Sequence, residues 1–370
     1  VSLTVIVAHN FYRSALPSGE NTVVRQEMRW LAEAGVRVIP YVKSSDEISG
    51  AQKLTLPVRP VWSPQGELEQ LIERFQPDVL HLHNPYPLLS PAVIRTAHGR
   101  EVPVVQTVHN YRHVCVSGLY FRDGHECHDC QGRVFGLPAV EHACYRGSRA
   151  QSLVMATSLA VNRKLWRTVD RFIAPSSVIV DHLLDYGISR DRIVIKPNAI
   201  DDPGEPTPAG AGALFAGRLD EAKGIRQLLD AWKPEYGVLR VAGDGPLKAL
   251  VRDRDGVDYL GNLGRSQVRQ AIRDSALVIV PSQVQDVHPT IVIEGLANGR
   301  PVLGTQRGGI PEMIGPAGWV SDDLARTLPE ALSGAHSLVK TARQRYLGLF
   351  SPDATISQLI GIYTGMSRDK

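Results

Sequence analysis

A chain of 370 residues is long for a single domain of about 150 residues and predicts two compact units. Its 43% hydrophobic and 21% charged residues can build ordinary cores, which excludes a disordered, collagen-like or disulfide-dense chain. Lysine and arginine total 41 against 38 acidic residues, a net charge of +3 that is too balanced to indicate nucleic-acid binding, so any basic surface must be local.

From the N-terminus, short β-rich apolar runs at Leu3–Val7, Val36–Tyr41, Val79–His83 and Val102–Val108 read as strands. Between them Val24, Met28, Leu31 and Ala32, and then Leu68, Leu71, Ile72 and Phe75, recur at helical spacing. This alternation predicts a parallel sheet covered by helices on both faces. A long helix over Ser152–Trp166, a strand at Arg171–Ala174, a helix over Ser177–Tyr186 and a strand at Ile193–Ile195 follow. No apolar run approaches the roughly 20 residues that span a bilayer, and Val1–Val7 is too short for the apolar region of a signal peptide. The expected setting is cytoplasmic.

Composition changes at residues 201–212, DDPGEPTPAGAG, where prolines hold extended dihedrals and glycines loosen the chain, as in an interdomain linker. The alternation then restarts, with strand-like runs at Leu214–Ala216, Leu239–Ala242, Val257–Leu260, Leu277–Val280 and Val302–Gly304. In the last segment, Pro352–Met366, Ile356, Leu359, Ile360 and Tyr363 share one side of a helix. The expectation is an α/β chain of two Rossmann-like, doubly wound parallel sheets facing a central cleft, where the carboxyl ends of the strands would surround a ligand. The N-terminal domain would run over 1–205 with a cysteine-bearing insertion at about 111–150, and the C-terminal domain over 206–350. A final helix, 351–370, could cross back to the first domain.

The second domain carries the denser chemistry. Gly217-Arg218-Leu219 follows a strand and Lys223-Gly224 opens the next helix, so two cations and backbone amides would converge at a helix N-terminus, which suits a diphosphate. The bland reading is a pair of solvated cations. A second anion-friendly turn, Val287-His288-Pro289-Thr290, precedes a helical segment over Ile291–Asn298, with Thr290 as a candidate cap and Glu294 one turn inside. Glu294 could accept two hydrogen bonds from a ribose diol or merely complement the helix dipole. Neither a complete G-x-G-x-x-G nor a G-x-x-x-x-G-K-[ST] occurs, which argues against dinucleotide oxidoreductases and P-loop NTPases.

In order and spacing, the stretches PSGENTVVRQEMRWLAEAGVRV, PDVLHLHNPYPLL, GRLDEAKGIRQLLDAW with VAGDGPL, and DVHPTIVIEGLANGRPV resemble the retaining GT-B glycosyltransferases of glycosyltransferase family 4. The resemblance implies that Arg218 and Lys223 grip the diphosphate of a nucleotide sugar and that Glu294 holds the ribose. It further assigns His288, Pro289, Thr290 and Ile291 to the donor sugar or phosphate, and Gly243 and Leu263 to loops flanking the base. In that family a glutamate pair marks the donor site. Glu294 matches the second glutamate, whereas Asp286 stands at the place of the first, keeping the charge on a shorter arm. The donor implied is a UDP-sugar first and a GDP-sugar second, with no catalytic metal. Transfer with retention would let the acceptor attack on the face the diphosphate leaves, a leaving oxygen taking the proton, so electrostatic stabilisation carries the catalysis. Two rivals on the same plan are a nucleotide-sugar 2-epimerase and a catalytically idle nucleotide-sugar-binding protein.

In the first domain Gly19 stands in the loop Pro17-Ser18-Gly19-Glu20 after strand one, where the absence of a Cβ permits close approach of a phosphate. His81, His83 and His109 lie at or near strand ends. A strand histidine is often a satisfied core residue, but the resemblance puts His109 beside the reacting sugar. Cys115, Cys127, Cys130 and Cys144 fall within 30 residues; four thiolates could complete a structural zinc site, form disulfides or stay free, or hold an iron–sulfur cluster. The segment resembles cysteine-bearing members of bacterial polysaccharide biosynthesis, which implies a saccharide or lipid-linked acceptor. Residues 133–169 hold six basic residues, Arg133, Arg146, Arg149, Arg163, Lys164 and Arg167, against Glu141 alone. That segment is either a solvated face or a peripheral contact with an anionic membrane on its inner side.

Overall fold

Strand β1 (Thr4–Phe11) buries Val5, Ile6, Val7 and Ala8 completely or nearly so, the pattern of a strand covered on both faces. The computed structural model describes residues 3–14, 18–48 and 58–366. Strands β2 (Arg37–Ser44), β3 (Val79–Leu82), β4 (Val104–Thr107), β7 (Arg171–Ala174) and β8 (Ile193–Ile195) join β1 in a parallel sheet of order β2-β1-β3-β4-β7-β8. A small antiparallel hairpin, β5 (Phe121–Arg122) and β6 (His125–Glu126), interrupts the sequence. Helix α1 (Gly19–Glu33) begins at Ser18, whose hydroxyl caps the amide of Asn21.

The second parallel sheet has the order β11-β10-β9-β12-β13-β14. Its strands are β9 (Ala213–Ala216), β10 (Leu239–Ala242), β11 (Val257–Gly261), β12 (Leu277–Val280), β13 (Val302–Gly304) and β14 (Gly318–Val320). Both sheets reverse their order beside the first strand, and in such sheets ligands bind beyond the carboxyl ends at that switch point. The α/β class of two doubly wound sheets expected from the alternation is therefore what the chain adopts.

Two compact units result. The first comprises residues up to Tyr120, Cys127–Pro197 and the chain from Ile356 onward; the second comprises Phe121–Glu126 and Asn198–Thr355. In the first, Leu359 and Tyr363 of the last helix (Pro352–Thr364) are fully buried in one core with Val5, Val7, Val24 and Ile173. In the second, one core gathers Leu214, Val278, Val292 and Tyr346 and another Phe215, Leu228, Val241 and Leu277.

Local departures from expectation have local causes. The helix expected over Ser152–Trp166 is two, Arg149–Val161 and Arg163–Trp166. Between them Asn162 leaves helical geometry, its side-chain amide donating to the carbonyls of Ser158 and Val61, the competition with the backbone that asparagine typically offers. Strand β14, the three residues Gly318–Val320, is too short for a period-2 signal.

Candidate functional site

In the second unit the loop after β9 is shaped by caps and one glycine. Asp220 accepts from the amide of Lys223 at 3.0 Å, starting the 3-10 turn Glu221–Lys223. Gly224 ends it in left-handed geometry, φ 70°, where an added Cβ would fall 1.8 Å from the carbonyl oxygen of Pro281. Only glycine lets this loop lie on the loop after β12.

That contact delivers Lys223 to Asp286. The ammonium donates to both carboxylate oxygens at 2.8 and 2.7 Å, Ser282 donates its hydroxyl to Oδ2, and Thr305 fixes Ser282 through its carbonyl at 2.6 Å. The backbone of Asp286 is held as well: its carbonyl accepts from Gly309 at 2.7 Å. A Cβ at Gly308, φ 58°, would meet that carbonyl oxygen at 2.0 Å. Asp286 thus engages the lysine with both oxygens. Arg218 is 56% exposed and touches Asp220 at 3.1 Å, so its guanidinium keeps most of its donors for solvent or ligand.

The second element of the site is the helix Thr290–Ala297, which has Pro289 at its N-cap and no side-chain cap. Thr290 is therefore not the cap that its position suggested; its hydroxyl bonds Glu294. Burial pushes the Glu294 carboxyl above the usual range, while Arg265, Thr290 and Arg269 oppose the rise. His288 is buried, its ring edge-on to Phe350 at 5.6 Å. Ile291 and Leu263 are partly buried against the core. Gly243 donates its amide to Gly261 at 2.7 Å and accepts from the Tyr259 hydroxyl at 3.1 Å.

In the first unit His109 is half-buried and stacked on His83, with Nε2 2.9 Å from His83 Nδ1. His81 stands deeper: Nε2 meets the Thr107 hydroxyl at 2.8 Å and Nδ1 the Tyr363 hydroxyl at 2.6 Å. Burial drives the His81 pKa down to about 3 and the His83 pKa well below its ordinary value. Gly19 opens α1, while Pro17 of its loop lies outside the described residues.

Metal chemistry has one compact donor set among the described residues: Glu27, His81 and His83 offer atoms within 4.8 Å of one another. The Lys196 ammonium, 3.9 Å from Glu27, already answers that carboxylate, and both nitrogens of His81 are engaged. The four cysteines are half-buried free thiols and do not form such a set of three. They are nonetheless near neighbours in part. The thiols of Cys115 and Cys127 act on Cys130, whose pKa is raised chiefly by burial. The amide of Ala139 donates to Cys130, and its carbonyl accepts from the amide of Cys144 at 2.9 Å.

Sequence reasoning missed Arg112, which lines a pocket of the first unit with His83, Asn84, Tyr86, His109 and Asn110. It missed Ser282 as well. Neither belongs to a motif; each is recognised only by what it faces once the sheet has formed.

With this geometry in place, the chain matches the family descriptions "Glycosyl transferase 4-like domain" over residues 18–199 and "Glycosyl transferases group 1" over residues 211–336. It is 27% identical over 217 residues to the putative colanic acid biosynthesis glycosyltransferase WcaL of Escherichia coli, a match covering 50% of this chain and 53% of that protein. It is 24% identical over 291 residues to a GDP-mannose-dependent alpha-mannosyltransferase of Corynebacterium glutamicum, covering 74% and 62%. The chain thus spans between half and two thirds of these relatives. Among solved structures, Anabaena HepE in complex with UDP-glucose superposes with a TM-score of 0.65 at 15% identity, over 98% of this chain and 100% of that one. At that identity the likeness establishes the fold.

Proposed function

Because the chain belongs to the GT-B glycosyltransferases, with a glycosyl transferase 4-like domain followed by a group 1 domain, we propose that it transfers a sugar with retention from a nucleotide sugar to a saccharide or lipid-linked acceptor in polysaccharide or glycolipid assembly. A UDP-sugar is the first donor, in keeping with the HepE complex, and a GDP-sugar the second, in keeping with the mannosyltransferase relative.

The observation that carries this reading is the ammonium of Lys223, clamped between Asp286 and a glycine-shaped loop at the carboxyl end of the second sheet. Such a cation is preorganised, so stabilising the charge that develops on a leaving diphosphate requires little reorganisation. Arg218 adds a planar fork, and the uncapped start of helix Thr290–Ala297 adds amides and the positive end of a dipole. Glu294 takes the ribose, and Gly243 and Leu263 border the base. Asp286 serves the lysine rather than a sugar hydroxyl. His109, held by His83, stands beside the reacting sugar, and Gly19 approaches the phosphates. No protein nucleophile is needed when a leaving phosphate oxygen accepts the acceptor's proton.

Lys223→Ala should weaken UDP or GDP binding by about 2 kcal/mol, the worth of a charge-assisted contact, and abolish transfer to saccharide acceptors. Unchanged nucleotide affinity would overturn the assignment. An altered free nucleotide sugar in place of a glycoside would instead point to epimerisation, and binding without turnover to an idle binder.

Two accessory features belong to the same reading. Cys115, Cys127, Cys130 and Cys144 hold one structural zinc, supported by the clustering of Cys130 with Cys115 and Cys127, since zinc binding favours the thiolates that burial opposes. Metal analysis should then return about one equivalent and chelation should lower the melting temperature; a metal-free preparation of equal stability would reject it. The basic segment around helix Arg149–Val161 contacts an anionic membrane surface.

A further inference from the structure

We propose, resting on the glycosyltransferase reading above, that the pocket of the first unit is an oxyanion subsite in which Arg112 binds a phosphate or carboxylate carried by the acceptor. Among the described residues lining that pocket Arg112 alone bears a permanent charge, and none is acidic. Its neighbours there include Asn84, Asn110 and the paired rings of His83 and His109, all of them hydrogen-bonding groups.

The guanidinium is positioned but not satisfied. Asn110 accepts from the Arg112 amide at 3.1 Å and fixes the backbone. The side chain makes two long contacts, from Nη1 to the Tyr12 hydroxyl at 3.4 Å and from Nη2 to the carbonyl of Ser117 at 3.3 Å. Its Nε is buried and has no hydrogen-bond partner among the described residues. Glu20, an acid whose charge acts on Arg112, also accepts from the Tyr12 hydroxyl, through Oε2, at 3.2 Å. A shielded N–H without an acceptor is costly, and a guanidinium edge is shaped for two oxygens of one anion.

Glu20 tunes this subsite. Its Oε1 is buried without a partner and lies 4.0 Å from His9 Nδ1, which already accepts from the amide of Asn84 at 3.4 Å and has no proton to offer. Two acceptors facing each other favour a proton on the carboxyl. Burial raises the Glu20 pKa to about 7, opposed by Arg112 and Tyr12. When Glu20 is ionised its charge works against an anion on Arg112.

The test is calorimetric titration of the full chain in saturating UDP, with inorganic pyrophosphate, glucuronate and methyl glucoside as probes, for the wild type, Arg112→Gln and Glu20→Gln. Anion binding should fall about tenfold or more in Arg112→Gln and tighten severalfold in Glu20→Gln, while UDP affinity is unchanged in both. A response to pyrophosphate alone identifies a phosphate-bearing acceptor, and to glucuronate alone a carboxylate-bearing one. Anion binding that is absent, or equal in wild type and Arg112→Gln, overturns the subsite. So does methyl glucoside binding that falls in step with anion binding, the mark of a neutral-sugar site. Failure of the wild type to bind UDP would defeat the donor reading alone, because the comparison between variants still decides Arg112.

Discussion

His81, fully buried between Thr107 and Tyr363, shows how burial alone sets a residue's chemistry. Removal from water disfavours the imidazolium and lowers its pKa to about 3; the same cause takes His9 and His182 to about 4. In the unfolded chain each titrates near 6.5, so between that value and the folded one the unfolded state binds more protons. The stability these residues support is therefore complete above about pH 6.5 and is lost as pH falls towards 3 to 4, at up to about 1.4 kcal/mol per pH unit for each group. Urea midpoints should drop clearly between pH 7.0 and 5.5, and equal midpoints would contradict neutral burial. Residues differ in how much of this can be read from sequence. Lys223 and Asp286, 63 positions apart, are marked by the loops they occupy, and the structure brings them together. Arg112 is not so marked, because its solitude in a pocket is a property of eleven lining residues drawn from two segments and a helix.

Elements reported themselves according to how far their burial was periodic. β1, β3 and β4 were legible as strands from their apolar runs but not in their ends: β1 continues through Ala8, His9 and Asn10 to Phe11, beyond the run expected to stop at Val7, while β3 and β4 stop at Leu82 and Thr107, one residue short of the runs expected to reach His83 and Val108. The helix Arg149–Val161 was legible as a helix but not its end at Asn162, which is set by a carbonyl on the distant segment at Val61. That same packing, with Ser158 donating to Pro60, places the turn at Val58–Trp62 against the helix and leaves Trp62 54%, Val58 58%, Leu153 49% and Val161 60% exposed. Arg149 and Lys164 are exposed on the same two helices. Apolar side chains flanked by cations suit an anionic bilayer, where each cation near the surface contributes about 1 kcal/mol. No helix among the described residues is long and apolar enough to cross a membrane. Co-sedimentation with phosphatidylglycerol vesicles at low salt should therefore be strong for the wild type, weak for Arg149→Glu/Lys164→Glu, and absent for phosphatidylcholine vesicles. Equal sedimentation of wild type and double variant would count against the membrane face.

For the whole molecule, the two-sheet class was legible because the strand–helix alternation runs, breaks at a proline- and glycine-rich linker and runs again. For the last helix the amphipathic stripe says that a face will be buried and not against what, so its return to the first domain could be stated from the sequence only as an expectation. Its apolar stripe enters the first core: Leu359 and Tyr363 are fully buried there, and the Tyr363 hydroxyl completes His81 across 282 positions of chain. The first unit is consequently built from both ends of the chain, whereas the second is nearly one continuous stretch with its own two cores. Cutting the chain before Ile356 would strip Leu359 and Tyr363 from the first core, a loss on the scale of about 3–5 kcal/mol for the aromatic alone, and leave a buried imidazole nitrogen without its partner. Since a domain's whole margin is roughly 5–15 kcal/mol, the first unit of such a chain should open to protease while the second survives as a fragment from about Asn198. Mass spectrometry of a limited digest reads this directly, and a truncated chain whose first unit resists as well as the full one would show that the returning helix does not hold that unit together.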